Sequence, residues 1–123
     1  MISRLHHVQI TIPSASEAEA RAFYIDLLGL LEIPKPESLK SRGGFWLTLA
    51  GQEIHVSLED GVDRHKTKAH LAYEVTDLEF WRLKLSQAGF DVQIGVPIPG
   101  NARFETRDVA GNRLELIEKL TLQ

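Results

Sequence analysis

Cysteine is absent from this chain of 123 residues. Its absence excludes a disulfide scaffold, a thiolate metal site and a cysteine nucleophile. Basic residues are in deficit, with 14 Lys and Arg against 17 Asp and Glu and a formal net charge of -3. A broad nucleic-acid footprint or a polybasic membrane surface needs the opposite balance. Nor are the basic residues interleaved with aromatics along a strand, as a single-strand-binding platform requires. No apolar run approaches the roughly 20 residues that span a bilayer. The stretch Met1-Ile2-Ser3-Arg4-Leu5-His6-His7 is broken by polar residues and has no apolar leader core. The expectation is a soluble cytoplasmic protein. No phosphate-binding glycine loop occurs, and Gly43-Gly44 alone is a turn signal. No Gly-x-Ser-x-Gly elbow is present to anchor serine hydrolase chemistry.

The composition that remains is that of one globular domain, with 43% hydrophobic and 25% charged residues. A chain of this length buries roughly two-thirds of its unfolded surface, enough for one core without staples. Five histidines are the conspicuous chemical resource.

The chain falls into two halves of one plan. Leu5 to Ile12 alternates Val8, Ile10 and Ile12 with His7, Gln9 and Thr11, a half-buried strand ended by Pro13. Ser14-Ala15-Ser16-Glu17 has the spacing of a capping box. A helical stripe of Ala18, Ala22, Ile25 and Leu28 follows, closed by Gly29. Leu30 to Ile33 is a short strand, 34–44 a Pro/Ser/Gly loop, and Phe45 to Leu49 with Glu53 to Leu58 a hairpin through Ala50-Gly51-Gln52. After a polar stretch the order repeats. His70 to Val75 alternates, and Asp77 caps a helix with the stripe Leu78, Trp81, Leu85 and Ala88 before Gly89. Phe90 to Ile94 reads as a strand. Phe104 to Arg107 and Arg113 to Glu118 form a last hairpin. The spacing predicts two βαβββ modules, 1–59 and 69–120, joined by a polar linker at 60–68.

Alternation also sorts the polar residues. If Val8, Ile10 and Ile12 pack under a helix, His7 faces the other way, and so do His55, His70 and Glu115 on their strands. His55 and Glu115 each lie four residues beyond a hairpin glycine, Gly51 and Gly111, and His7 and His70 open equivalent strands. Two symmetric pairs of nitrogen and oxygen donors suit a divalent first-row metal. His6 is expected on the helix side or a sheet edge, and His65 in solvent. Trp81 belongs to the core, and Trp46 to either core or cavity wall. Arg103 and Arg107, near the last hairpin, are either surface residues or contacts for an anionic substrate.

The segments Leu5-His6-His7-Val8-Gln9-Ile10, Ala22-Phe23-Tyr24 with Leu27-Leu28-Gly29-Leu30, His70-Leu71-Ala72-Tyr73-Glu74-Val75 and Gly111-Asn112-Arg113-Leu114-Glu115 resemble the vicinal oxygen chelate superfamily. It includes glyoxalase I, fosfomycin and bleomycin resistance proteins and extradiol dioxygenases. The resemblance spans essentially the whole chain. It implies an α+β fold of two βαβββ modules curled into a cupped, barrel-like mixed sheet, usually in a homodimer. It further implies a divalent metal (iron, manganese, nickel or zinc) held by the residues matching His7, His70 and Glu115, with a small-molecule substrate. Where glyoxalase-like members carry a glutamate that binds metal and moves protons, this chain has His55, leaving Glu115 as the carboxylate base. Where fosfomycin-type transferases carry threonine, it has Gln9, and their potassium loop has no match around Gly100 to Phe104. Bleomycin-binding members generally lack the metal ligands that are present here.

The sequence thus points to a small metal-dependent lyase, isomerase or dioxygenase. Glu115 and His55 are its candidate catalytic groups, and His7, His55, His70 and Glu115 its candidate ligands. Trp46, Gln9, Arg103 and Phe104 are the candidate substrate contacts. The alternative is a metal-free binder of a hydrophobic or aromatic compound, lined by Phe45, Trp46 and Phe104.

Overall fold

A computed structural model describes residues 1–121. Contacts divide the chain between Val62 and Asp63 into two compact units. Each unit holds one four-stranded mixed sheet and one main helical segment, an α+β arrangement of two βαβββ modules.

In the N-terminal unit the strands are β1 (His7–Ile12), β2 (Leu31–Ile33), β3 (Phe45–Leu49) and β4 (Gln52–Leu58), in the order β1-β4-β3-β2. Only β1 and β4 run parallel. A parallel pair needs a crossover, which the helical segment supplies. That segment begins with a 3₁₀ turn at Ser14–Ser16, becomes α1 (Glu17–Arg21) and widens into a π-helical turn at Ala22–Leu27. The Leu28 N–H donates to the Phe23 carbonyl at 2.9 Å, five residues back. The buried face keeps the i, i+3, i+4 spacing of a regular helix, counted from Ala20. Ala20, Phe23 and Tyr24 are buried, whereas Ala18 and Ala22 of the expected stripe are exposed. The capping box does not form either. Ser14 Oγ donates to Asp60 Oδ2 at 2.7 Å, and Glu17 Oε1 accepts the Gly44 N–H at 2.7 Å. Helix, loop and β4 are thereby tied together instead.

Ala20, Phe23 and Tyr24 share the core with Ile12, Phe45, Leu47, Ile54 and Val56. Burying one such large side chain contributes about 1.5–3 kcal/mol. The β3–β4 hairpin turns through Ala50 and Gly51, both with positive φ, as a two-residue turn of the right twist demands. The loop expected at 34–44 contains a 3₁₀ turn, Glu37–Arg42. It returns to the sheet through Gly43 and Gly44. A Cβ on Gly44 would lie 2.2 Å from the Val56 carbonyl oxygen, and one on Gly43 would lie 2.5 Å from Leu58. Only glycines let this segment lie so close to β4.

The C-terminal unit repeats the topology with β5 (His70–Glu74), β6 (Gln93–Ile94), β7 (Asn101–Arg107) and β8 (Arg113–Lys119), ordered β5-β8-β7-β6. Its helix α2 spans Leu78–Gln87, and Asp77 accepts the Phe80 N–H at 3.1 Å as expected of its cap. Leu85 is fully buried, Trp81 is half-buried, and Ala88 is exposed rather than part of the stripe. The strand expected over Phe90 to Ile94 shrinks to two residues. The Phe90 N–H closes the helix on the Leu85 carbonyl at 3.0 Å, and the Asp91 carbonyl accepts from Thr106 Oγ1 at 2.6 Å. Helix termination and a side-chain bond have taken that backbone from the ladder. The polar connector contains a 3₁₀ turn at Arg64–Lys66, in which Arg64 is buried. Among the described residues no helix is long and apolar enough to cross a membrane.

One core group of this unit is unsatisfied. The Tyr73 hydroxyl is buried without a hydrogen-bond partner. Burial, helped by the charge of Asp108, pushes its pKa well above the ordinary tyrosine value. Tyr73→Phe is therefore expected to raise stability by about 1 kcal/mol at neutral pH in denaturant melts. Because the folded pKa is the higher one, this tyrosine's contribution is complete below about pH 10 and is lost as the pH climbs beyond. The phenylalanine variant should accordingly unfold at higher alkaline pH than wild type. An unchanged alkaline midpoint would contradict this.

Candidate functional site

In a sheet, residues paired across strands point to the same side. In the N-terminal unit the register pairs His7 with Glu53, Gln9 with His55 and Thr11 with Ser57. On the other side of β4, His55 pairs with Trp46. His7, Gln9, His55 and Trp46 therefore occupy one face, opposite the core. Phe45 pairs with Val56 and belongs to the core face.

The rings on this face form a stack. Trp46 and His55 lie parallel with centroids 3.8 Å apart, and His55 and His7 stack at 4.2 Å. His55, 6% exposed, is the middle layer. Its Nε2–H donates to Glu53 Oε1 at 2.9 Å, because a carboxylate can only accept. In the neutral ring this leaves Nδ1 as the lone-pair nitrogen. The same bond holds the Glu53 carboxyl below its usual pKa. His7 Nδ1 lies 3.0 Å from His6 Nδ1. His6 is exposed and precedes the strand, so it braces His7 instead of packing under the helix or at the sheet edge. Gln9 Oε1 accepts from Ser57 Oγ at 2.9 Å, which fixes its amide beside His55.

In the C-terminal unit the register is the same. His70 pairs with Arg113 and Ala72 with Glu115, so the carboxylate occupies the lattice point of His55. Across the sheet Glu115 faces Glu105, with Arg103 and Arg107 on the same side. Glu115 is 7% exposed. Two carboxylates directly opposite would repel, and Arg103 separates them. Its Nη1 donates to Glu115 Oε1 and lies 3.6 Å from Glu105 Oε1. Its Nε donates to the Val96 carbonyl at 2.9 Å, and Gly95 leaves room for the guanidinium where a Cβ would come within 2.8 Å. Arg103 is thus engaged through Nη1 and Nε, as the counter-ion of Glu115 and a partner of the Val96 carbonyl. Arg107 binds the carbonyls of Gly111 and Arg64 and braces the turn. Phe104 pairs with Leu116 and is wholly buried, so it is a core residue and not a substrate contact. His65 is exposed, as expected, with its ring lying against Gly111.

His70 is oriented by the backbone. Its Nδ1–H donates to the Lys68 carbonyl at 2.8 Å, since a carbonyl can only accept. In the neutral ring Nε2 is then the lone-pair nitrogen, and it lies 3.9 Å from Glu115 Oε1. Two acceptors held at this separation suit a shared cation, and the backbone bond on the far nitrogen orients such a ligand. The donor set of imidazole nitrogens and a buried carboxylate fits a divalent metal. Within each unit, among the described residues, the donors form these pairs and not a cluster of three.

Glu53, Glu105 and the Lys68 carbonyl were not singled out in the sequence. The two glutamates carried a usable signal, since each alternates in phase with a flagged residue, His55 or Arg103. The carbonyl carried none.

The chain as a whole is similar to known proteins. A search of curated proteins gave no significant match. Among solved structures, a protein of Bacillus anthracis assigned to the glyoxalase family is 39% identical, covering 97% of each chain with a TM-score of 0.88. The fosfomycin resistance protein FosX of Listeria monocytogenes, as the E126Q mutant with Mn(II) and 1S,2S-dihydroxypropylphosphonic acid, is 20% identical over 99% of this chain and 95% of its own, with a TM-score of 0.81. FosX with Mn(II) and sulfate is 18% identical over 99% and 94%, with a TM-score of 0.78. The FosX likenesses concern the fold alone. Residues 4–116 match the family profile, and the chain belongs to the Glyoxalase/Bleomycin resistance protein/Dioxygenase superfamily.

Proposed function

We propose that this protein is a small divalent-metal-dependent enzyme acting on a small molecule, with His7, His55, His70 and Glu115 as the metal donors. The observation that carries this is His70, whose Nδ1–H is held by a backbone carbonyl while Nε2 faces the buried carboxylate of Glu115. Iron, manganese, nickel and zinc all accept nitrogen and oxygen donors of this kind. When bound, the metal supplies Lewis-acid polarisation of vicinal substrate oxygens, within lyase, isomerase or oxygenase chemistry.

The chain's own residues supply the remaining chemistry. Lys68 and Glu53 fix the tautomers of His70 and His55. His55, with Nδ1 as its lone-pair nitrogen, is placed to accept a proton or to donate a nitrogen ligand. Glu115 is the carboxylate base, and the Arg103 guanidinium donates to it within a buried setting. Trp46 and the Gln9 amide flank His55 and orient the substrate.

Metal analysis of protein purified without added metal tests the proposal. A first-row metal should accompany wild type and be lost from the His70→Ala variant. A second reading, a metal-free binder, is favoured by one observation: the Arg103 guanidinium already neutralises Glu115. Small-molecule binding that is indifferent to chelation, by a wild type without metal, would support that binder and overturn the metalloenzyme. The homodimer implied by the resemblance belongs to the same proposal. Sedimentation equilibrium should give twice the chain mass, and a mass of one chain would refute it.

A further inference from the structure

The N-terminal unit contains a cavity of about 510 Å³ lined by its own residues. The histidine face supplies one wall. The segment between β2 and β3 supplies the other, bringing Lys35, Leu39 and Arg42 over the sheet. Gly43 and Gly44 hold that segment down, for the steric reasons given above.

The charge of the lining is one-sided. Lys35 and Arg42 are there, and no Asp or Glu is. A cavity of about 410 Å³ in the C-terminal unit offers the comparison, since Asp91 and Glu105 there offset Arg107 and Arg113. A cationic wall free of acids is also unexpected in a chain of net charge -3. The nearby acids are otherwise engaged. Glu17 accepts from Gly44 and Arg21, and Glu37 pairs with Lys40 at 2.7 Å. Lys35 Nζ donates to the Gly43 carbonyl at 2.5 Å, and an ammonium has two further donors. The lining also offers apolar surface, with Leu39 on the same segment as the cations and Trp46 and Leu58 on the sheet beside the ring stack.

We propose that Lys35 and Arg42 form an anion subsite, and that the molecule bound in this cavity is a small organic acid. Its acid group lies on the two cations and its apolar body against Trp46, Leu39 and Leu58. Arg42 offers a planar fork suited to a carboxylate or phosphonate, and Lys35 adds a second, compact charge. The inference deepens the proposed function by naming a substrate class. It stands on a cavity of one unit and does not require the metal.

The test uses that independence. Trp81→Phe leaves Trp46 as the only tryptophan of the chain. In this background and in EDTA, benzoate or phenylphosphonate should change Trp46 fluorescence saturably. Neutral benzyl alcohol, of similar size, should bind at least roughly tenfold more weakly, as should benzoate to Lys35→Ala or Arg42→Ala. Arg42→Lys should recover part of the loss. Equal binding of benzyl alcohol and benzoate, no binding of either acid, or full affinity in the Lys35→Ala/Arg42→Ala double variant would each overturn the subsite. Failure to bind metal strikes only the metalloenzyme proposal, because these titrations contain none.

Discussion

Arg103→Ala is expected to cost about 3 kcal/mol of folding stability, measured by chemical denaturation at neutral pH. The magnitude follows from what remains behind. Glu115 is 7% exposed and faces Glu105 across the β7–β8 pair. Arg103 binds Glu115 and lies within 3.6 Å of Glu105, so its loss leaves two opposed carboxylates, one of them buried. Arg113 compensates only Glu105, at 3.6 Å. The asymmetry is itself a test. Glu115→Gln removes the buried charge and leaves Arg103 with Glu105 and the Val96 carbonyl, so it should destabilise much less. Similar losses in the two variants would mean that packing, and not charge burial, dominates this site.

A second large effect is expected on metal affinity. Glu115→Gln and His70→Ala should each weaken divalent-metal binding by at least roughly 100-fold, more than loss of an outer partner costs. Calorimetric titration with Mn(II) reads this directly, with circular dichroism as the check that the fold persists. Affinity within a few-fold of wild type in both variants would remove these residues from the donor set.

The topology was legible because hydrophobic alternation has a short period and recurs along the chain. Val8, Ile10 and Ile12 on β1, and Leu71 and Tyr73 on β5, set which face each histidine takes. The four candidate donors then followed from parity alone. The observed register adds that His55 and Glu115 occupy equivalent points, a relation the hairpin glycines had suggested. Local signals failed where a longer-range bond competed. Ser14 prefers Asp60 to its own helix, and Phe90 ends a helix instead of starting a strand. In the first helical segment two stripes compete, and the one through Ala20, Phe23 and Tyr24 is buried because it carries the larger apolar side chains.

Phe45 and Phe104 were misplaced for a different reason. Both lie in hairpins beside the site, but parity puts them with Val56 and Leu116 in the core. Trp46 and Glu115, one residue out of phase with them, take the other face. Lys35 and Arg42 were invisible in sequence, since no periodic pattern fixes the path of an irregular segment. Their position depends on two glycines and on Glu17, a contact across 27 residues.

The central claim is that this chain binds a divalent metal through histidine and carboxylate donors. Its most direct test is an electron paramagnetic resonance titration of chelator-treated wild-type protein with Mn(II), run beside His70→Ala. The free Mn(II) signal should be suppressed saturably by wild type, to about one ion per chain, and not by the variant. An unsuppressed signal with wild type, or equal suppression by both proteins, would contradict the claim.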